Sequence, residues 1–388
     1  MTGKYWRGYL VAAIMAAITW ALVQFAQTHS VLIDMVYPYM TRLVVTSMAN
    51  WTSGMAFCLW QVLLIGMVVV GMVTIILMII LKWNFFQWLG WVFAAVSCVV
   101  LLYTGLYGLN QYASPLADDM RLEISDYTVA ELDEATVYFR DKANELAKSV
   151  NRDSKGNADL GSFEELAEKA GKGFEVLTYE EAISVFAGST VPVKKLGWTA
   201  FYSGDFGITM ALTGEAAVNP KVPNAVLPFA MCNEMAHRMS IYSDADAAFA
   251  AFLAGSYNPD EAFQYSAYMM AYYYCYTALT QIPTSTAQAC AAQIDKGVSS
   301  QLRTDLEAYE DFFGKDTMAL NNRAEITDEL ADPNAPISFS RYSDVSDLLA
   351  NWYIQKFIVP LHVEEEAPFN PLDPTQVDLS GLVNALKK

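Results

Sequence analysis

Long stretches without a charged residue constrain this chain more than any other feature of its sequence. Within the first 111 residues, Asp34 is the only acidic residue, and the basic residues are Lys4, Arg7, Arg42 and Lys82. Between these charges lie three apolar runs, at 8–27, 55–81 and 86–109. Each run reaches the roughly 20 residues that a helix needs to cross about 30 Å of hydrocarbon. A buried core helix rarely runs this long without a charge, so the sequence predicts three transmembrane helices.

The first apolar run is longer than the core of an ordinary signal peptide. The sequence QFAQTHS that comes after it offers no A-x-A cleavage site. We therefore expect a retained anchor. The connector 30–51 carries Asp34, Pro38 and Arg42 among apolar residues, and we expect it to lie along the membrane interface.

Charge divides the chain into a membrane part and a water-soluble part. The net charge is -18, whereas residues 1–111 carry +3, so the remainder carries -21. No basic patch suggests nucleic acid, and the partner expected from the apolar runs is the lipid bilayer. Lys4, Arg7 and Lys82 favour a cytoplasmic N-terminus in a multi-pass protein of the cytoplasmic membrane. Three spans then place residues 112–388 outside the cytoplasm.

Periodicity predicts helices through most of the soluble part. Residues 128–131 form a capping-box start, and glycines interrupt KKLGWTAFYSGDFGITMALTGEAAVN, which predicts a small β element. Helices are expected at about 162–171, 178–188, 226–240, 244–255, 260–280, 299–313 and 341–358. The domains predicted are a membrane domain (1–111), a soluble domain (112–361) and an extended tail (362–388).

One helix in the soluble part carries an incomplete metallopeptidase motif. Zinc peptidases use H-E-x-x-H, in which two imidazoles one turn apart bind Zn²⁺ and the glutamate takes a proton from the bound water. Here Asn233, Glu234 and His237 form N-E-x-x-H. Positions 233 and 237 share one helix face. Alone, the pattern is weak evidence, because any long helix can carry it by chance as a polar stripe on a packed face.

The wider sequence resembles the bacterial membrane-protein family known as domain of unknown function 3810, which looks like a zincin-type metallopeptidase. The segments that carry the resemblance are GLYGLNQYASPLADDMRL, YTVAELDEAT, the NEL of 144–146, LTGEAAVN, MCNEMAHRMS, SDADAAF, YSAYMMAYYYCYTAL and RYSDVSDLLA. They occur in the family's order and cover most of the chain. The resemblance implies a mainly α membrane protein with three N-terminal transmembrane helices and a mostly helical zincin-like domain with a small β element.

The departures from the family pattern include the positions that would bind the metal. Asn233 replaces the first histidine, and Asp244 and Asp246 replace two glutamates, one of which is the expected third metal ligand. Asparagines give way to Ala217 and Ala248, and an Arg-Gly pair gives way to Met239 and Ser240. An amide oxygen is a poor zinc donor beside imidazole, and each aspartate is one methylene shorter than the glutamate it replaces.

The resemblance therefore implies a set of candidate site residues. Glu234 is the candidate catalytic base, and the candidates for any metal are His237, Asn233, Asp244 and Asp246. Candidates for a supporting or substrate-contacting role are Glu215, Tyr265 and Tyr268, although a tyrosine stripe is usually core and Glu215 is equally typical of a capping acid. The family cofactor would be zinc, which the substitutions predict to be weakly bound or absent here. Oxygen donors alone would suit Ca²⁺ or Mg²⁺.

Three functions remain open from the sequence. The favoured one is a catalytically impaired pseudopeptidase that binds a peptide or protein. The second is an active metal-dependent peptidase with an altered metal shell and Glu234 as general base. The third is a structural or assembly protein of the cell envelope.

Overall fold

The structure is a computed structural model that describes residues 6–198, 204–314, 336–337 and 344–358. It is mainly helical, as predicted. The N-terminal helices are α1 (Arg7–Thr28), α2 (Ser30–Thr52), α3 (Leu59–Ile80) and α4 (Phe85–Leu106). Of these, α1, α3 and α4 are long and apolar enough to cross a membrane. The three predicted spans are confirmed to this extent.

Helices α1 and α4 pack directly against each other through two glycines. A Cβ atom built on Gly8 would lie 2.4 Å from the carbonyl carbon of Gly90. Only a residue without a side chain permits this approach of the two backbones. At the other end of α1, Gln27 donates to the hydroxyl of Tyr112 across 3.3 Å. The two helices therefore run in the same direction.

The helical domain begins at the end of α4, with a 3-10 turn at Gly108–Tyr112. Its helices are α5 (Leu116–Met120), α6 (Val129–Leu146), α7 (Phe163–Lys169), α8 (Gly171–Tyr179), α9 (Leu227–Arg238), α10 (Asp244–Ser256), α11 (Glu261–Thr280), α12 (Ser285–Lys296), α13 (Ser300–Phe313) and α14 (Val345–Tyr353). A π-helical turn at Ile354–Ile358 comes directly after α14. The core lies between α6, α9, α10, α11 and α14.

The strands are few and short. They are β1 (Tyr127–Thr128), β2 (Lys194–Lys195), β3 (Gly207–Met210), β4 (Glu215–Val218) and β5 (Pro336–Ile337). Strands β1 and β5 form an antiparallel pair. The other sheet has the order β2-β4-β3, in which β4 is parallel to β2 and antiparallel to β3. The small β element predicted from the glycine pattern is thus this sheet, in which β3 and β4 form an antiparallel pair.

Several helices differ from the prediction. Helix α5 is not expected, and α8 lies largely between the helices expected at 162–171 and 178–188. The helix expected at 178–188 is wrong, because α8 already ends at Tyr179 and only a 3-10 turn at Ser184–Phe186 comes after it. Helix α12 is not predicted by the periodicity, because STAQACAAQ carries few large apolar residues. The tail predicted at 362–388 lies outside the described residues.

Candidate functional site

The motif helix α9 lies in the middle of the domain and is buried on almost all sides. Pro228 occupies its first turn, where the missing N–H costs no hydrogen bond. Asn233 and Glu234 are 8% and 4% exposed. His237 is half-buried near the helix C-terminus. The polar residues of the motif therefore face protein rather than open solvent.

Glu234 is hydrogen-bonded to the neighbouring strand β3. The hydroxyl of Thr209 lies 2.8 Å from Glu234 Oε2 and 2.8 Å from the Glu234 carbonyl oxygen. Gly207 of the same strand allows this contact, because a Cβ there would lie 2.9 Å from Glu234 Cγ. The strand and the motif helix are in direct contact at this carboxyl group.

Burial raises the pKa of the Glu234 carboxyl group above its usual value, and the charge of Asp244 adds to the rise. His237 and the hydrogen bonds from Thr209 and Asn233 oppose it. The hydroxyl of Thr209 has one hydrogen and two acceptors within reach, so it donates to one of these two oxygens at a time.

His237 is oriented by the turn that comes after α9. Its Nδ1 atom lies 2.9 Å from the carbonyl oxygen of Ile241. A carbonyl only accepts, so Nδ1 carries the hydrogen and Nε2 keeps its lone pair. Metal-binding histidines are commonly oriented in this way. The Nε2 atom lies 3.7 Å from Asp244 Oδ1, and the Asp244 side chain is fully exposed.

The residues present do not make a zinc site. A zinc site uses four ligands, of which a catalytic site takes three from the protein. The motif supplies a single imidazole and the Asn233 amide, with Asp244 near the imidazole. Among the described residues, no three histidine, cysteine, aspartate or glutamate side chains are placed to hold a metal ion.

Asp246 faces a different part of the molecule from His237. It lines a cavity together with Asp34, Arg42 and Asp119. Burial raises the pKa of its carboxyl group to about 6, and the charges of Asp119 and Asp118 contribute to the rise. Two positions along a helix correspond to a rotation of about 200°, so Asp244 and Asp246 point apart.

Glu215 lies on the face of the sheet away from Glu234. Strand pairing places Glu215 opposite Met210 and places Ala216 opposite Thr209. Directly paired residues share a face and successive residues alternate, so Glu215 and Thr209 point to opposite sides. The Glu215 carboxylate accepts the N–H groups at the start of α3, and Lys194 Nζ lies 2.7 Å from it.

Tyr265 and Tyr268 belong to the core. The Tyr265 hydroxyl bonds to Asp305, whose other partners are Arg152 at 2.5 Å and the N–H of Ala158 at 2.7 Å. The ring of Tyr268 packs edge-on against Phe252 with their centroids 5.7 Å apart. Neither tyrosine is brought to the motif by these contacts.

Three residues that the sequence patterns do not indicate contact the motif helix and its end. They are Thr209 on β3, Tyr107 at the end of α4 and Arg42 on α2. The Tyr107 hydroxyl donates to the His237 carbonyl across 3.0 Å, and Arg42 Nε donates to the Met239 carbonyl across 3.2 Å. The terminal carbonyls of a helix have no partner within it. The one sequence feature that could have indicated any of these three residues is the position of Tyr107 within GLYGLN, a segment that carries the family resemblance.

These features define a class of protein with three helices that are long and apolar enough to cross a membrane, joined to a helical domain with a buried N-E-x-x-H helix. The family described as "protein of unknown function (DUF3810)" matches residues 34–326. The chain belongs to this family. No curated protein and no solved structure matches the chain.

Proposed function

We propose that this chain is a membrane-anchored, peptidase-like protein that binds a peptide or protein without cleaving it. The observation that supports this best is the contact between Glu234 and Thr209, because it ties the motif helix to strand β3. The peptide would lie along β3 beside the motif. The hydrolytic chemistry of the wider resemblance would be lost with the first histidine.

Strand β3 has the position that a peptide-binding strand requires. In the order β2-β4-β3 it lies at the edge of its sheet within the described part of the chain. An edge strand presents unpaired N–H and C=O groups, and an extended peptide can add to it as a further strand. All four residues of β3 are only half-buried, so they remain accessible to a partner.

The contacts of Glu234 favour binding over catalysis. A general base must reach the water that it activates, whereas the buried Glu234 carboxyl group is engaged by Thr209. The second candidate, an active peptidase with an altered metal shell, retains one favourable feature, namely that His237 Nδ1 is bonded to a backbone carbonyl and its Nε2 lies beside Asp244.

The helix ends favour a single arrangement in the membrane. The start of α3 is bonded to Glu215, and the residue after α4 is bonded to His237, so both ends lie beside the helical domain. Helix α1 runs parallel to α4, which places Arg7 and Lys82 together at the far side. Basic residues favour the cytoplasmic side. The helical domain would then lie outside the cytoplasmic membrane.

Peptide binding is tested with the full chain in lipid nanodiscs and a displayed library of random peptides. We expect enrichment of peptides that remain intact by mass spectrometry after incubation with added zinc. Cleavage by the wild type but not by Glu234→Gln would establish the active peptidase instead. Failure to enrich any peptide would remove the binding function and leave the structural or assembly role.

The orientation is tested separately with enzyme reporters fused after Lys388. A periplasmic-type reporter, such as alkaline phosphatase, should be active at this position, and a cytoplasmic reporter should be inactive. A reporter inserted after Lys82 should give the opposite pattern. Cytoplasmic activity after Lys388 would overturn the extracytoplasmic location.

A further inference from the structure

A cavity of about 410 Å³ lies where α2, the segment after α4 and the turn after α9 meet. Its polar lining includes Asp34, Arg42, Asn110, Asp119, Ser240 and Asp246. The size is that of a small-molecule pocket rather than of a packing defect. Peptide binding at β3 uses different residues, so a function of this cavity is independent of the proposed function.

The cavity wall contains buried oxygen atoms that lack a hydrogen-bond partner. Asn110 Oδ1, Ser240 Oγ and Asp246 Oδ1 have none within the described structure. These residues are 4%, 7% and 8% exposed. The Asn110 amide nitrogen donates to the Tyr107 carbonyl, which fixes Oδ1 as the group left over. A buried acceptor without a partner is destabilising, so these oxygens lack a donor.

The charged residues of the cavity lining indicate the charge that a ligand should carry. Asp34, Asp119 and Asp246 outnumber the single cation, Arg42. Arg42 is also already engaged, because it donates to the carbonyl oxygens of Met239 and Ser184. The cavity therefore has surplus negative charge and surplus acceptors. It calls for a ligand that is positively charged and donates several hydrogen bonds.

We propose that this cavity binds a primary ammonium group. An ammonium carries three N–H donors and one positive charge, so it supplies the donors that oxygens of the lining residues lack and the charge that the excess of carboxylates favours. A metal ion matches less well, since no triad of histidine, cysteine, aspartate or glutamate among the described residues is placed to hold one. A quaternary ammonium has the charge and lacks the donors.

The ligand has two sources with the same chemistry. Met35 and Tyr39 line the cavity and are 74% and 62% exposed on the apolar face of α2. That helix connects two membrane-spanning candidates, so an amine-bearing lipid headgroup can reach the cavity from the bilayer surface. A free primary amine can reach it from water.

The lipid source is tested by native mass spectrometry of the full chain in detergent. The probes are phosphatidylethanolamine, phosphatidylcholine and phosphatidylglycerol with identical acyl chains. We expect retention of phosphatidylethanolamine at least tenfold above phosphatidylcholine. The free source is tested by thermal shift with ethanolamine against choline, in the absence of lipid. A preference for phosphatidylethanolamine in the lipid experiment identifies a lipid headgroup as the ligand. A preference for ethanolamine in the thermal-shift experiment identifies a free amine.

Three substitutions link the binding to the cavity. Asp246→Asn keeps the shape and removes the charge, and should lower retention or thermal shift at least tenfold. Asp119→Asn, at an exposed position, gives the same test without risk to the core. Asp118→Asn is the matched control, because Asp118 is adjacent in sequence and does not line the cavity. Equal binding of primary and quaternary amines, or wild-type binding by both Asp246→Asn and Asp119→Asn, would overturn the proposal.

Discussion

Tyr107 donates its phenolic hydrogen to the carbonyl oxygen of His237 across 3.0 Å. Tyr107 comes directly after the last membrane-spanning candidate, and His237 is the last polar residue of the motif. The bond therefore joins the end of a membrane helix to the end of the motif helix. Arg42 on α2 makes a second contact at the same helix end, to the carbonyl of Met239. The N-terminal helices therefore contact the C-terminal end of the motif helix.

Removing the tyrosine hydroxyl tests this link. Tyr107→Phe should lower the free energy of unfolding in detergent by about 1 kcal/mol, because a largely buried hydrogen bond is lost. Denaturation followed by tryptophan fluorescence measures the change. Tyr179→Phe is the control, since Tyr179 is 81% exposed. Equal stability of Tyr107→Phe and wild type would show that the contact contributes nothing.

The second link between the N-terminal helices and the domain is the Glu215 carboxylate, which contacts the start of α3 and pairs with Lys194. The Glu215 carboxylate accepts from the N–H groups of Leu59 and Trp60 at 2.7 and 3.0 Å. A carboxylate at a helix N-terminus is favoured by the helix dipole. Glu215→Gln should destabilise the protein by on the order of 3 kcal/mol, because it leaves Lys194 buried without its counter-charge.

A double-mutant cycle separates this ion pair from simple packing. Lys194→Met alone should also destabilise the protein, and the combined variant should cost less than the two single changes together. The measurement is chemical denaturation of each variant in the same detergent. Strictly additive effects would mean that the two side chains act independently.

The positive φ of Ser240 leads to a stabilising substitution. Ser240 has φ of 73° in the turn after α9, where the wider family resemblance has glycine. A left-handed conformation costs a residue with a Cβ roughly 1–2 kcal/mol. Ser240→Gly should therefore raise the free energy of unfolding by about 1 kcal/mol, measured by thermal or chemical denaturation.

Ser240→Ala distinguishes the two features of this position. It removes the hydroxyl group that lacks a partner and keeps the backbone cost. If Ser240→Ala stabilises the protein as much as Ser240→Gly, the unpaired hydroxyl is responsible rather than the backbone conformation.

Local patterns in the sequence are reliable guides to the fold. The capping box at Thr128 is present, with the Glu131 N–H donating to the Thr128 hydroxyl and the Thr128 N–H donating to the Glu131 carboxylate. The apolar runs predict three helices, and the glycine pattern predicts a small β element, which contains β3 and β4. These features depend on residues that are close in sequence. Their interactions can therefore be read from spacing alone.

The functional roles depend on long-range pairing and cannot be read in the same way. The start of α3 is separated from Glu215 by about 155 residues in sequence, so nothing local indicates that this acid caps a membrane helix. Asp244 and Asp246 are an exception. Their spacing on one helix already implies that only one of them can face His237.

Asp246 should make stability depend on pH. Its pKa is raised to about 6 in the folded protein from a usual value of 3.8. A carboxyl group whose pKa is higher in the folded state stabilises the fold fully at a pH below its unfolded pKa. This stabilisation is lost as the pH rises through its folded pKa. Between pH 4 and 6 the wild type should lose about 2 kcal/mol that Asp246→Asn does not lose. Denaturation in amine-free buffer at pH 4, 5, 6 and 7 measures this. Parallel curves for the two proteins would contradict the shift.

Restoring zinc tests whether the motif keeps the geometry of a metallopeptidase. Asn233→His together with Asp244→Glu should bind about one zinc per chain, because positions 233 and 237 share a helix face and His237 Nε2 keeps its lone pair. Asp244 already lies 3.7 Å from that nitrogen, and the longer glutamate can reach a shared ion. Metal analysis of the purified full chain after zinc loading and dialysis gives the stoichiometry. The wild type should contain clearly less than one zinc.

The position of Asp246 supplies the control for this gain. Asn233→His with Asp246→Glu should gain no zinc beyond Asn233→His alone, because Asp246 lines the cavity beside α2. One zinc per chain in the wild type would remove the pseudopeptidase and favour the active peptidase with Glu234 as base. A gain with glutamate at 246 and not at 244 would mean that α10 turns its other face to the motif when metal binds. No gain in either variant would mean that the surroundings of His237, and not only the ligands, have diverged from a metal site.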